Sequence, residues 1–166
     1  MTENLDQPGS TPVEIAARRH GIAYLDYLGR LARLDSERAL ERLGLRPRQL
    51  LILTVLDGEP EGLGQRELGG MLRLDASNLV VLLNDLEERG LLSRVRSGSD
   101  RRRHLVSISR SGRDLLAAAD EVLGSVEDRL LSPLGDGDRA TLRRLLSAVA
   151  RDQRTNALAA VRAERG

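Results

Sequence analysis

The sequence predicts a mainly α-helical protein with one β-hairpin, a combination of the α+β type. Apolar residues recur at helical spacing through most of the 166 residues. This spacing is interrupted once, between Leu91 and Ile108, by two short strand-like runs. The runs are separated by SGSD and three arginines, RRR. We therefore expect six helices and a two-stranded ribbon with a basic tip.

The N-terminal third is predicted to hold a tail and two helices. Residues 1–12 are polar and contain proline and glycine, which is typical of a disordered tail. A long amphipathic helix is expected within residues 13–44, ended by Gly44. A second helix, Pro47 to Leu56, begins with a proline and is apolar nearly all round, so it should lie at the centre of the core. Asp57 to Gly64 is predicted to be a loop.

The next elements are a short helix, a turn and a capped helix. Gln65 to Leu72 is the short helix, and Arg73-Leu74 is the turn that follows it. Asp75 is a favourable N-cap for a helix through Arg89, and Gly90 should adopt positive φ at its end. These elements place two helices in succession immediately before the hairpin.

The last part of the chain is predicted to be the hairpin and two long helices. Its strands are Leu91 to Arg96 and Arg103 to Ile108. Ser109 caps a helix to about Leu131, and Ser132-Pro133 ends it. A final helix begins near Asp136 and runs at least to Val149.

Residues 45–109 thus have the order of a winged helix-turn-helix DNA-binding domain. The helix before this domain (residues 13–44) and the helices after it (residues 110–166) carry apolar stripes that have no partner inside it. These stripes are expected to pack on one another across a two-fold axis, which predicts a homodimer.

The helix from Asp75 to Arg89 is the predicted recognition helix. Four leucines share its buried face by their spacing: Leu79, Leu82, Leu83 and Leu86. The opposite face presents Ser77, Asn78 and Val81 near the helix start, where helix-turn-helix proteins contact bases. Asn78 suits an adenine edge, Ser77 a base or phosphate, and Val81 a thymine methyl group. The alternative is that Ser77 and Asn78 are ordinary polar residues of a first helical turn.

Arginines outside this helix are the predicted phosphate and minor-groove contacts. They are Arg66, Arg73, Arg94, Arg101, Arg102 and Arg103. From residue 94 to residue 103 there are five arginines and one aspartate, a local charge of +4. Asp100 is placed to hold the guanidinium of Arg102 by a bidentate hydrogen bond, which would preorganise it for a narrow minor groove. The alternative is a solvated turn with incidental charge.

One observation opposes DNA binding. Four acids and one arginine give the recognition helix a charge of −3, which would repel phosphates if all of it faced the duplex. This charge and the Val80-Val81 pair support an alternative function, a helical dimerisation or adaptor protein whose winged helix no longer reads sequence.

Composition excludes several other classes. The chain has no cysteine, so disulfides, thiolate zinc sites and cysteine-based redox sensing are excluded. His20 and His104 are far apart and lack a carboxylate cluster at metal-ligand spacing, so no metal is predicted. There is no phosphate-binding glycine loop and no nucleophile–base arrangement, so neither a cofactor nor an enzyme is predicted. No apolar run approaches the roughly 20 residues of a membrane span and no secretory signal is recognisable, so the expected location is cytoplasmic.

The chain resembles the MarR family of bacterial regulators from about Val13 to about Val149. The most specific stretches are LRLDASNLVVLLNDLEERGLL, SGSDRRRHLVSIS and SRSGRDLL. The resemblance implies a homodimer that binds double-stranded DNA at pseudo-palindromic operators, commonly as a repressor. It also matches Asp100 and Arg102 to the family's wing residues, and Ser77, Asn78 and Val81 to its base readers. Many members carry a polar or basic residue where this chain has Val80 and Val81.

The family further implies release from DNA by a small, often aromatic or phenolic, ligand. Tyr24 and Tyr27 lie on the first long helix, where family members often line the ligand pocket. They are therefore candidate ligand-binding residues. The alternative is that both are packing or dimer-interface residues. The predicted function is a sequence-specific transcriptional regulator, with repression favoured over activation.

Overall fold

A computed structural model describes Thr11, residues 20–96 and residues 104–163. Within these residues it contains six helices and three strands, in the predicted order. They are α1 (Ile22–Glu41), α2 (Pro47–Asp57), β1 (Leu63–Gly64), α3 (Gln65–Leu72), α4 (Ala76–Glu88), β2 (Leu92–Arg96), β3 (His104–Ile108), α5 (Arg110–Leu130) and α6 (Asp136–Ala163). The mainly α-helical winged-helix fold is therefore confirmed. The predicted tail and the predicted wing tip lie outside the described residues.

The sheet has one strand more than the sequence predicted. Its strands are antiparallel in the order β1-β3-β2, with Leu92 opposite Ile108 and Leu63 opposite Val106. The loop prediction for residues 57–64 is wrong at its end, because Leu63 and Gly64 pair with the free edge of β3. Two residues are too few for a periodic pattern, so only the tertiary pairing reveals this strand.

A glycine allows the close approach of β1 to β3. Gly62 has φ +76°, and a Cβ on it would lie 2.9 Å from the carbonyl oxygen of Val106. Any other residue at this position would be strained by the positive φ, and its Cβ would clash with β3.

Capping residues set the helix ends largely as predicted. Proline stands in the first turn of α2, where the side chain of Gln49 accepts a hydrogen bond from the backbone N–H of Arg46 at 2.9 Å. Gly44 and Gly90 have φ of +62° and +69° just beyond α1 and α4. The hydroxyl of Ser109 accepts the backbone N–H of Gly112 at 3.0 Å, so the predicted cap of α5 is confirmed.

The start of the first helix differs from its prediction. In the described residues α1 begins at Ile22, after a turn at Gly21, instead of near residue 13. Residues 12–19 lie outside the described part of the chain.

The core is aliphatic, as the absence of Phe and Trp requires. α2 lies at its centre, with Ile52 and Leu53 fully buried. The remaining members come from every other helix except α6 and from all three strands: Leu40, Leu45, Leu56, Leu63, Leu68, Leu79, Leu83, Leu86, Leu91, Leu92, Val106, Ile108, Leu116 and Ala119. Among the described residues, Gln49 is the one buried polar side chain, at 3% exposure.

The chain divides into two compact units, residues 1–126 and residues 127–166. In the first unit, α1 exposes Ile22, Leu25, Leu28 and Leu34. In the second unit, α6 exposes Leu145, Leu146 and Val149, while Arg139 and Arg143 form ion pairs with Asp128 (2.6 Å) and Glu127 (2.8 Å). In a single chain, both helices therefore present apolar side chains to solvent. Across the described residues, no helix is both long enough and apolar enough to cross a membrane.

Candidate nucleic-acid interface

The three predicted base readers lie on the exposed face of α4. Leu79, Leu83 and Leu86 are at most 2% exposed and fix this helix on the core. Ser77 and Asn78 are exposed near its start, and Val81 is 68% exposed one turn later. Since residues near the start of a recognition helix reach base edges, the side chains are placed as base contact requires. Contact with bases itself stays a prediction.

Asp75 holds the first turn of α4 through Asn78. Its Oδ1 accepts the backbone N–H of Asn78 at 2.9 Å, and its Oδ2 accepts a hydrogen bond from Nδ2 of the same residue. These bonds, the backbone one first, hold the pKa of Asp75 below its ordinary value, since they favour the ionised carboxylate. One amide hydrogen of Asn78 is thereby used, while its carbonyl oxygen and second amide hydrogen remain for a base edge.

Most of the negative charge of the recognition helix is paired within the protein. Asp85 accepts a hydrogen bond from Nε2 of buried Gln49 and lies 3.5 Å from Nη1 of Arg89. Glu87 is bonded to Arg94, and Asp75 is the N-cap. These three carboxylates therefore stabilise α4 and its attachment to α2 and β2. The net charge of −3 did not reveal this pairing, because a sum of charges does not show that Gln49 of α2 and Arg94 of β2 pack against the acids of α4.

Arg66 and Arg73 both line one concave surface between α3 and α4, with a volume of about 950 Å³. The surface is lined by Gly64, Gln65, Arg66, Glu67, Gly69, Gly70, Arg73, Leu74, Ala76 and Leu79. Because Ala76 is the first residue of α4, this surface, with two arginines and one glutamate, adjoins the start of the predicted recognition helix. Two of the predicted DNA-binding residues, Arg66 and Arg73, therefore line one surface, and Ser77 and Asn78 follow it directly in the chain.

Arg73 has a backbone conformation that is unfavourable for any residue other than glycine. With φ +50° and ψ +42° it is left-handed, and it is the single non-glycine residue with positive φ among the described residues. Left-handed geometry costs a residue with a Cβ roughly 1 kcal/mol relative to glycine. At this turn a glycine would fold more easily than the arginine that stands there.

Arg94 was predicted to contact DNA, but its guanidinium is engaged inside the protein. Nη2 donates to Oδ1 of Asn84 at 2.8 Å, and Nη1 donates to Glu87. The side chain is 21% exposed. A DNA contact by Arg94 stays a prediction, and the geometry gives it a second role that sequence reasoning missed. The predicted wing residues Asp100, Arg101, Arg102 and Arg103 lie outside the described residues.

The candidate ligand residues, Tyr24 and Tyr27, lie one helical turn apart on α1. They are 43% and 40% exposed, and the neighbouring Leu28 is 39% exposed. The two rings and this leucine share one exposed face of the helix by their i, i+3, i+4 spacing. Its role in ligand binding stays a prediction.

A helix-turn-helix whose second helix has an exposed polar start, followed by a β-hairpin, defines a winged-helix DNA-binding protein. Residues 43–103 match the model of the MarR family. The chain belongs to this family of transcriptional regulators, as its resemblance implied.

Two curated relatives share about a third of their aligned residues with this chain. The putative transcriptional regulatory protein for the hcr operon of Thauera aromatica is 33% identical over 108 residues, which are 65% of this chain and 64% of that protein. The organic hydroperoxide resistance transcriptional regulator of Bacillus subtilis (strain 168) is 33% identical over 87 residues, 52% of this chain and 58% of that protein. The chain therefore spans less than two thirds of each of these relatives.

The solved structures that resemble the chain include the transcriptional repressor CouR. CouR bound to a 23-mer DNA duplex is 32% identical, with a TM-score of 0.68 over 85% of this chain and 99% of that one. CouR from Rhodococcus jostii RHA1 bound to p-coumaroyl-CoA is 28% identical, with a TM-score of 0.65 over 85% and 96% of the two chains.

Proposed function

We propose that this protein is a transcriptional repressor that binds a pseudo-palindromic operator as a homodimer. The recognition helix α4 enters the major groove through Ser77, Asn78 and Val81, and the wing reaches the flanking minor groove. The observation that carries the proposal is that exposed Arg66 and Arg73 line one surface next to the exposed polar start of α4. Positive charge flanking a base-reading helix is what phosphate neutralisation requires. The similarity to CouR, a transcriptional repressor solved in complex with a 23-mer DNA duplex, supports DNA binding.

The dimer is proposed from the exposed apolar residues of α1 and α6. Leucines that are about half exposed in a single chain are stabilised when a second copy covers them. Residues 13–44 and 110–166 would then be the dimerisation helices and residues 45–109 the DNA-binding domain. With two-fold symmetry, the two recognition helices are expected to read half-sites about 10 base pairs apart.

The paired carboxylates weaken the alternative of an adaptor that does not read sequence. That alternative depended chiefly on the acidic recognition helix. Asp75, Asp85 and Glu87 have structural partners, so their presence is explained without loss of DNA binding. The experiment below distinguishes such an adaptor from a sequence-specific regulator.

The experiment is selection of duplexes from a random-sequence library, followed by titration of the selected and a scrambled duplex at two salt concentrations. We expect a pseudo-palindrome that is bound at least about a thousandfold more tightly than scrambled DNA, with an affinity that falls steeply with salt. Equal affinity for both duplexes would contradict sequence reading, and no binding to either would favour the adaptor.

The effector is proposed to be a small aromatic or phenolic molecule bound beside Tyr24 and Tyr27. The structure of CouR with p-coumaroyl-CoA supports this class of ligand. One of the two curated regulators is named for organic hydroperoxide resistance, but this chain has no cysteine and so cannot sense through a thiolate.

The effector proposal is tested with p-coumaroyl-CoA and p-coumarate as competitors of the protein–duplex complex. We expect one of them to lower the affinity for the duplex, and the double variant Tyr24→Leu with Tyr27→Leu to lose this response while retaining DNA binding. Double replacement by phenylalanine distinguishes stacking from hydrogen bonding. An unchanged response in the leucine variant would place the tyrosines in packing or in the dimer interface.

A further inference from the structure

Three side chains connect the recognition helix to the wing, and we name them the wing clamp: Asn84 and Glu87 of α4, and Arg94 of β2. Oε1 of Glu87 accepts a hydrogen bond from the backbone N–H of Arg94 at 3.3 Å. Oε2 of Glu87 accepts a second hydrogen bond, from Nη1 of the same arginine. Oδ1 of Asn84 accepts Nη2 of Arg94 at 2.8 Å. One arginine is therefore held at its backbone and at both ends of its guanidinium.

The clamp acts on an edge strand. In the order β1-β3-β2, strand β3 is paired on both sides, whereas within the described part of the chain β2 pairs with β3 alone. An edge strand has unpaired backbone N–H and C=O groups on its outer side. Glu87 accepts a hydrogen bond from one of them, the N–H of Arg94. Arg94 lies two residues before the end of β2 at Arg96, and the predicted wing tip that follows lies outside the described residues. The clamp is thus located at the base of the wing.

The partial burial of the Arg94 side chain indicates that it stabilises the structure. Its side chain is 21% exposed, and its Nε is buried without a partner among the described residues. A partly buried guanidinium depends on its carboxylate and amide partners, because desolvation disfavours an isolated charge. A side chain in this setting is poorly placed to neutralise a phosphate without first leaving Glu87.

We propose that the wing clamp sets the angle between the recognition helix and the wing, so that both reach the same DNA duplex at once. Arg94 is then a positioning residue and not a phosphate contact. The inference rests on the proposed function, because it assigns the clamp a role only in a protein that binds DNA. Helix and wing act as two linked binding elements, and a rigid connection raises the effective concentration of the second once the first is bound.

The decisive test is the sign of the effect of removing Glu87. Loss of a negative charge from a DNA-binding surface normally strengthens binding, because phosphate repulsion is reduced. The clamp requires the opposite, so Glu87→Ala is expected to weaken binding to the selected duplex by roughly tenfold. Glu88→Ala is the matched control, since Glu88 is an exposed acid of the same helical turn. It is expected to leave the affinity unchanged or to raise it.

Arg94→Ala and the double variant Glu87→Ala with Arg94→Ala complete a thermodynamic cycle. The clamp predicts that both single variants and the double variant lose affinity equally, because each breaks the same connection. If Arg94 instead contacts a phosphate, Arg94→Ala alone weakens binding and lowers the salt slope by about one. Wild-type or higher affinity of Glu87→Ala would overturn the proposal.

A duplex without flanking base pairs separates positioning from general loss of structure. Wild-type protein should lose affinity when the flanks that the wing reaches are removed, and the clamp variants should lose much less. Unfolding temperatures are measured for every variant. Glu87→Gln and Arg94→Lys, which keep part of the hydrogen bonding, are expected to recover part of the affinity.

Failure of the clamp is distinguishable from failure of the proposed function. If wild-type protein prefers the selected duplex but Glu87→Ala binds it equally well, only the clamp is wrong. If wild-type protein has no preference between selected and scrambled DNA, the proposed function is wrong and the clamp fails with it.

Discussion

Helices α4 and α1 have the same kind of amphipathic pattern and opposite surroundings. The leucines of α4 at positions 79, 83 and 86 are at most 2% exposed. The corresponding stripe of α1, from Ile22 to Leu34, includes side chains that are 39% to 68% exposed. Helical spacing therefore states which face is apolar, whereas burial depends on whether the chain itself supplies a partner for that face. The buried stripe serves the fold, and the exposed stripe is available for assembly.

The largest expected effect comes from creating a cavity beneath α4. Leu83→Ala removes a fully buried side chain and should lower the free energy of unfolding by about 2–5 kcal/mol. Leu25→Ala, on the exposed stripe and 53% exposed, should change the unfolding of the isolated subunit little. Urea titration at a subunit concentration below the dimer dissociation constant measures the free energy of unfolding of both variants. Equal losses would remove the distinction between the two helices.

A charge on the exposed stripe should act on assembly and not on the fold. Leu25→Glu is expected to raise the dimer dissociation constant at least about a hundredfold, because an unpaired charge would be buried between subunits. Leu51→Glu is the control, since Leu51 is 49% exposed but lies on α2. Sedimentation equilibrium measures both variants. A Leu25→Glu protein that remains dimeric would exclude this part of α1 from the interface.

Two glycines sharpen the comparison within one helix, α5. A methyl group on Gly112 would overlap the carbonyl oxygen of Leu91 and lie 2.8 Å from Cγ1 of Ile108, whereas one on Gly124 would meet none of the described residues within 4 Å. Gly112→Ala should therefore destabilise the protein by about 1–3 kcal/mol. Gly124→Ala should stabilise it by about 0.5–1 kcal/mol through helix propensity. Thermal unfolding of both variants provides the measurement, and the same sign for both would contradict the close packing of Gly112.

Arg73 is expected to show opposite effects on folding and on DNA binding. Arg73→Gly relieves left-handed strain and should stabilise the protein by up to about 1 kcal/mol. The same change removes a cation beside α4 and should weaken DNA binding at all sequences, with a salt slope smaller by about one. Arg66→Ala is the control that removes a neighbouring cation without altering a strained turn. A glycine variant with full DNA affinity would show that the arginine is not needed there.

The smallest expected effect is the pH dependence of the α4 cap. The pKa of Asp75 is lowered in the folded state, so the carboxylate stabilises the fold above its unfolded pKa near 3.8. This stabilisation is lost as pH falls through the lower folded value. Asp75→Asn retains a capping side chain but removes this titration. Urea unfolding from pH 6 to pH 2.5 should show the stability difference from wild type shrinking below about pH 4; a constant difference would contradict the contribution of the carboxylate.

Much of the candidate site was accessible from local sequence signals. Asp75, Gly90 and Ser109 mark helix ends through capping chemistry that depends on neighbouring residues alone. The exposed positions of Ser77, Asn78 and Val81 follow from the leucine spacing on the same helix. The pairing of Leu63 with β3 and the hydrogen bonds of Arg94 with Asn84 and Glu87 join different helices and strands, and helical or strand periodicity does not encode them.

The sequence by itself determined the order of the elements, the aliphatic nature of the core, the family and the face of α4 that is exposed. These properties depend on periodicity, capping and composition, which act over a few residues. Only the tertiary structure decided that Asp85 and Glu87 meet Gln49 and Arg94, that Arg66 and Arg73 line one surface, and that the base of the wing is clamped. Such contacts depend on how separate elements meet in space, because a charge far along the chain becomes a partner only after the core has brought it near.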